Sequence, residues 1–207
     1  MQHLILAVQT ALVHMSLSSP LSRRALKHTR AIQIQAFLRD DGLWDIDARI
    51  TDTKTQDLYL IAGMRPAGNP VHDLWLRVTI DAQMTVVHAE ASSDAVTYPG
   101  YCTTVGPSYE KMIGLNLMSG FRQGLKERLG GIAGCTHLTE LAQILPTAAI
   151  QAFAGEGMVH GKAAAGDTQN QKPFQLDRCH ALRADGAAVA KFYPRWAVKP
   201  PTGSESS

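Results

Sequence analysis

The sequence predicts an α+β fold, with an antiparallel β-meander in its first half and helices packed on one face in its second. Two observations predict it. Apolar and polar residues alternate with a period of two through much of residues 31–91, and a helical period takes over between residues 119 and 153. The composition supports one globular core: 207 residues, 45% hydrophobic, 18% charged. A chain of this length can bury roughly 70% of its unfolded surface, so it needs neither metal nor disulfide merely to fold.

The first strand is read from Ile32, Ile34, Ala36 and Leu38, which alternate with Gln33, Gln35 and Phe37. Asp40-Asp41-Gly42 supplies turn chemistry. In the next strand Trp44, Ile46, Ala48 and Ile50 alternate with Asp45, Asp47 and Arg49, which makes a hairpin with one buried face. Ala62 to Pro70 is rich in Gly and Pro and is expected to be a loop. Leu74, Leu76, Val78 and Ile80 mark a third strand, and Thr85 to Ala91 a fourth.

Helices are expected from there on. Pro107 to Ile113 is a short one closed by Gly114. Ser119 to Leu129 sets Phe121, Leu125 and Leu129 on one face and ends at Gly130-Gly131. Thr136 to Phe153 is the longest periodic run, with Pro146 expected to kink it. Residues 154–172 read as a flexible loop. A last hairpin is expected from Phe174–Leu182 and Ala187–Phe192, turning at Ala184-Asp185-Gly186. The expected organisation is a single domain over residues 20–196. Residues 1–19 form an extension and 197–207 a disordered tail. Within that extension, the apolar stretch of residues 4–17 is too short to span a bilayer and is broken by Gln9 and His14. It reads as an extra helix or as leader residues.

Charge and cysteine count narrow the function classes. Twenty Lys+Arg against 18 Asp+Glu gives a net charge of +2 with no basic block, so no nucleic-acid partner is expected. No segment suggests a membrane role. Three cysteines cannot form a disulfide framework, and a reducing, cytoplasmic setting is the expectation. No phosphate-binding Gly-rich loop, Gly-x-Ser-x-Gly elbow or His-Glu-x-x-His zinc helix is present.

The cysteines nevertheless stand at element boundaries with histidines nearby. Cys102 follows the fourth strand. Cys135, two residues before His137, opens the long helix, and His72 with Asp73 starts the third strand. A helix N-terminus favours a thiolate through its free N–H groups and dipole. Thiolate, imidazole and carboxylate together suit zinc or iron. The ligands are far apart in sequence, with no Cys-x-x-Cys knuckle, and buried cysteines are commonly inert packing. Cys179-His180 reads as strand packing, and His28 and His88 as surface or core residues. Asp40, Asp41, Asp45, Asp47 and Asp52 read as the solvated face of a half-buried strand.

Several blocks resemble a bacterial family known only as domain of unknown function 2889. They are Lys27-His28-Thr29-Arg30, Asp41-Gly42-Leu43-Trp44-Asp45-Ile46 with Asp52-Thr53-Lys54, and Pro70-Val71-His72-Asp73. Tyr98-Pro99 with Cys102, Gly134-Cys135-Thr136-His137-Leu138, Cys179-His180-Ala181-Leu182 and Tyr193-Pro194-Arg195-Trp196 complete the set. They span nearly the whole chain and imply no activity. Residues 70–153 more distantly resemble the U-type iron–sulfur cluster scaffold proteins. That resemblance implies ligands at His72 with Asp73, at Cys102, and at Cys135 with His137. The order of ligand types departs from the scaffold pattern: His replaces the first Cys, and Cys-x-His replaces the last His-Cys. A mixed set points away from cluster assembly and toward a mononuclear ion. The expectation is a zinc or iron site through His72, Cys102 and Cys135, with Asp73 or His137 as a fourth ligand and the reaction open. The alternatives are a non-catalytic accessory module with structural cysteines, and a metal-free enzyme using Cys135 as nucleophile with His72 or His137 as base.

Overall fold

A computed structural model of the chain describes residues 17–154, 172–173 and 175–198. The expectations for the apolar N-terminal stretch, for the loop of residues 154–172 and for the tail from Lys199 lie, but for their boundary residues, outside these. Two compact units appear, residues 1–146 and 147–207.

The first unit is built on a sheet of four antiparallel strands in the order β1-β2-β5-β6: β1 His28–Leu38, β2 Trp44–Lys54, β5 Pro70–Ile80 and β6 Val86–Ala95. A small hairpin joins β3 Leu58–Leu60 to β4 Gly63–Arg65, and β4 falls within the segment Ala62 to Pro70 expected to be loop. The chain turns from β1 to β2 where Gly42 adopts φ +82° and Arg39 N–H donates to Leu43 C=O at 2.9 Å. The strong alternation of β2 and β5 follows from one face lying against the apolar core. Ile46, Ala48, Ile50, Val78, Leu76 and Leu74 are almost wholly inaccessible.

The opposite face is polar and cross-linked. Arg77 holds Asp47 through two bonds of 2.6 Å, Arg49 holds Asp73 at 2.6 and 2.8 Å, and Trp75 Nε1–H donates to Asp94 at 3.0 Å. The acidic residues Asp45 and Asp47 belong to this solvated face. Asp45 also accepts from the buried Thr79 hydroxyl at 2.7 Å.

Helices cover the inner face. A 3-10 segment, Cys102–Met112, runs along β6. It begins earlier than the short helix read from sequence, and Gly114 at φ +84° ends the turn that follows it. Helix α1, Phe121–Leu129, buries Phe121, Leu125 and Leu129 as its spacing requires. Helix α2, Thr136–Gln143, packs on β2 and β5 through Leu138, Leu141 and Ala142. The long helix expected through Phe153 breaks at Ile144 and resumes as α3, Leu145–Phe153. Pro146 cannot donate a backbone bond, so it sits at the start of a new helix.

In the second unit the expected C-terminal hairpin is corrected. Phe174 lies outside the described residues. His180–Leu182 is a 3-10 turn, and Ala187–Phe192 is a helix, α4, that buries Val189. Its alanines favour helix over strand, and Ala184 N–H bonds to Asp177 instead of a strand partner. No helix among the described residues is long and apolar enough to cross a membrane.

Candidate functional site

The site begins from the parity of the strands. Inner-face residues of β2 are the even-numbered ones, and the apolar row ends at Ile50. The next inner-face position is Asp52, directly paired with Arg30 on β1 and His72 on β5. One row of the sheet thus carries Arg–Asp–His side by side where the row before it carries Ile32, Ile50 and Leu74. The ladder is interrupted immediately beyond, between Asp52 and Thr53.

The N-terminal half of α2 brings Cys135, His137 and Glu140 to this row. Cys135 is its N-cap, in extended conformation with φ −96°. The Tyr109 hydroxyl anchors it, accepting from Cys135 N–H at 3.1 Å and donating to Cys135 C=O at 3.0 Å. His137 and Glu140 follow three residues apart, so they share a helix face. Glu140 accepts from Arg30 Nη1 at 2.8 Å.

Asp52 is the hub. It is 4% exposed, yet its two oxygens serve four side chains. Oδ1 lies 2.7 Å from His28 Nε2 and accepts from Arg30 Nε at 2.9 Å. Oδ2 accepts from Arg30 Nη2 at 3.0 Å and lies 3.2 Å from His72 Nδ1. His137 Nε2 stands 3.9 Å from the same Oδ2. Burial opposes ionisation of Asp52, but the hydrogen bonds from Arg30 and His28 and the charge of Arg30 outweigh it and hold its pKa down to about 2. The carboxylate is therefore ionised throughout the physiological range.

The imidazoles of His72 and His137 face each other with centroids 4.1 Å apart, tilted by 35°. Burial and the neighbouring His137 lower the pKa of His72 further than Asp52 raises it, so His72 favours its neutral form. A neutral ring beside an ionised carboxylate is what a divalent cation needs. Ligand atoms of Asp52, His72 and His137 all lie within 4.8 Å of one another. Donors bound ~2.0–2.1 Å from a tetrahedral ion stand about 3.3 Å apart, so these side chains need only small adjustments to share one.

The structure sorts the residues singled out from sequence. It brings His72 and His137 together. Cys135 lies beside them, its Sγ 4.0 Å from His137 Nδ1, but outside the converging ligand group. Cys102 is also outside that group; its N–H closes a turn onto Tyr98 C=O at 3.0 Å. The expectation of cysteine ligands is thereby corrected: a buried carboxylate, not a thiolate, completes the cluster. Asp73 has the opposite strand parity to His72, so it points to the other face and pairs with Arg49. Cys179 and His180 lie in the second unit and are exposed.

Asp52, His28 and Arg30 were not singled out as site residues. The usable signal was parity. Asp52 falls in step with Ile46, Ala48 and Ile50, unlike Asp45 and Asp47, so strict alternation buries its carboxylate. A buried carboxylate demands partners, and His28 and Arg30 fall in step with Ile32 and Ile34.

The fold and the site define an α+β protein with an Asp–His–His cluster, its aspartate buried and its histidines half-buried, at one end of an antiparallel sheet. Residues 28–151 match a family described as "Protein of unknown function (DUF2889)", and the chain belongs to that family. No curated protein matches the chain. No solved structure matches it either.

Proposed function

We propose that the chain is a mononuclear metal protein that binds zinc or iron through Asp52, His72 and His137. The observation that carries this reading is the convergence of three ligand atoms from β2, β5 and α2 within 4.8 Å. Two imidazoles and one carboxylate form a donor set that both ions accept while keeping positions open for water or substrate. When bound there, such an ion supplies Lewis acidity and lowers the pKa of a coordinated water.

The residues around the ligands have definite tasks. Arg30 and His28 fix the orientation of Asp52 from behind, as outer partners of a ligating carboxylate do. Glu140 holds the far side of Arg30 and joins α2 to β1. Tyr109 fixes the start of α2 and therefore the placement of His137. A U-type cluster scaffold would require thiolates within the ligand group, so the carboxylate and two imidazoles favour a single ion over a cluster.

Metal content of the purified protein by elemental analysis tests the reading. One zinc or iron per chain is expected, lost in Asp52→Asn and His72→Ala and kept in Cys102→Ser. Folded protein with no stoichiometric ion after growth in metal-replete medium, and none taken up on titration, contradicts it.

A second reading is supported by the line Cys135 Sγ, His137, Asp52, in which His137 Nδ1 faces the sulfur and Nε2 the carboxylate. That is the order of a thiol nucleophile, its base and the base's orienting group. Separations of 4.0 and 3.9 Å exceed the roughly 2.6–3.2 Å of a working proton relay, which ranks this reading second. Metal-independent alkylation of Cys135 that slows in His137→Ala would move it to first place.

A further inference from the structure

The two edges of the sheet are built differently. β6, one edge, has irregular pairing with β5 at Asp73/Leu74 and Thr79/Ile80 and is closed off by the 3-10 segment. That contact is tight enough that a Cβ on Gly106 would lie 2.6 Å from Ala91 O. β1, the other edge, pairs with β2 over all 11 residues without a shift, from His28↔Lys54 to Leu38↔Trp44. It contains no proline, and residues 31–38 carry no charge. Proteins normally blunt an edge of this kind with a bulge, a proline or an inward charge; the inward charge of β1, Arg30, stands near its start and is already paired with Asp52 and Glu140 of its own chain.

The side chains of β1 also continue the core outward. Ile32 and Leu38 share the inner face with buried Ile50 and Trp44, their cross-strand partners, yet remain 42% and 51% exposed. The Arg39 N–H bond to Leu43 sets the alternation of the hairpin. Counting back from it, Ala36, Ile34 and Ile32 direct their backbone N–H and C=O groups away from β2.

We infer that β1 pairs antiparallel with β1 of a second copy of this chain, about a twofold axis at Ile34. The register places Ile34 opposite Ile34, Ile32 opposite Ala36 and Arg30 opposite Leu38. The apolar row becomes continuous across the axis, and the outward backbone groups of Ile34 exchange two hydrogen bonds. Charge favours this occupant. Within each chain Arg39 already holds Asp41 and Asp52 holds His28, which leaves exposed Asp40 and Lys27 as the groups this register brings together across the two copies, and the twofold axis repeats the match at the opposite end. The second copy's turn then lies next to His28, one wall of the Asp52 site. The inference does not depend on metal binding.

Light scattering coupled to size exclusion, on the full chain at micromolar concentration, reads the outcome. A dimer is expected, shifting to the monomer mass in Ile34→Lys, which sets two ammonium groups face to face. Paired positions in a ladder have Cα atoms about 5.5 Å apart, within disulfide reach. Mild oxidation of Ile34→Cys is therefore expected to cross-link two copies through the substituted position, identified by peptide mapping. Phe37→Cys, far from the axis, is expected not to cross-link through its own. The cross-link decides the matter even where Ile34→Lys fails to fold. A monomeric wild type, or a dimer with no cross-link at position 34, overturns the inference.

Discussion

Asp52 carries more of the site than any other residue, because one carboxylate accepts from His28, Arg30 and His72 and faces His137. Asp52→Asn keeps the shape and removes the charge that Arg30 and the histidines surround. It is expected to cost about 1.5–3 kcal/mol in chemical denaturation, the usual range for hydrogen bonds to a charged group. Tyr109 is the second residue whose removal is informative. It is fully buried and bonds both backbone groups of Cys135, with Thr139 Oγ1 2.9 Å away. Tyr109→Phe is expected to cost about 1 kcal/mol and to loosen the start of α2. The pH dependence follows from burial, which raises the Tyr109 pKa against the opposing hydrogen bonds. A raised value means that the folded state holds the proton more tightly. The resulting stability is complete below the ordinary tyrosine pKa of about 10 and is lost as pH rises through the raised value. The stability gap between wild type and Tyr109→Phe is therefore expected to narrow in denaturation measured above pH ~10.

At the scale of elements, close approach explains the placement of the 3-10 segment on β6. Gly106→Ala drives a Cβ into the backbone oxygen of Ala91. It is expected to destabilise by about 1–3 kcal/mol, as overpacking does, with the loss seen as a lower melting temperature. The strands were the most legible elements, because period-two alternation states both their existence and which side is buried. The α2–α3 break was half legible: Pro146 announced it, but a proline alone does not distinguish a kink from a restart. The C-terminal segment was misread because short runs such as Ala187 to Phe192 satisfy both periods. Helix propensity and the Asp177 bond to Ala184 N–H decided between them.

At the scale of the whole first unit, the site lies where the inner face passes from apolar to polar rows and the first turn of α2 meets the sheet. Sequence located this end of the sheet through His72 and His137, but the ligand set depends on pairing register, which relates Arg30, Asp52 and His72 across gaps of about twenty residues. Cysteine drew attention because it is chemically conspicuous. The buried aspartate was hidden among acidic residues that face solvent. Binding linked to folding adds a prediction here: an ion held only by the folded chain stabilises it by ~2.7 kcal/mol at a hundredfold excess over its dissociation constant. Zinc is therefore expected to raise the melting temperature of wild type and to leave that of His137→Ala unchanged. The most direct test of the central claim is the absorption spectrum of the chelator-treated protein titrated with cobalt(II). The account predicts saturation at one ion per chain, with visible d–d bands and no thiolate-to-metal charge-transfer band in the near ultraviolet. Failure to take up cobalt, or a charge-transfer band that Cys135→Ser abolishes, would contradict a site made of Asp52, His72 and His137.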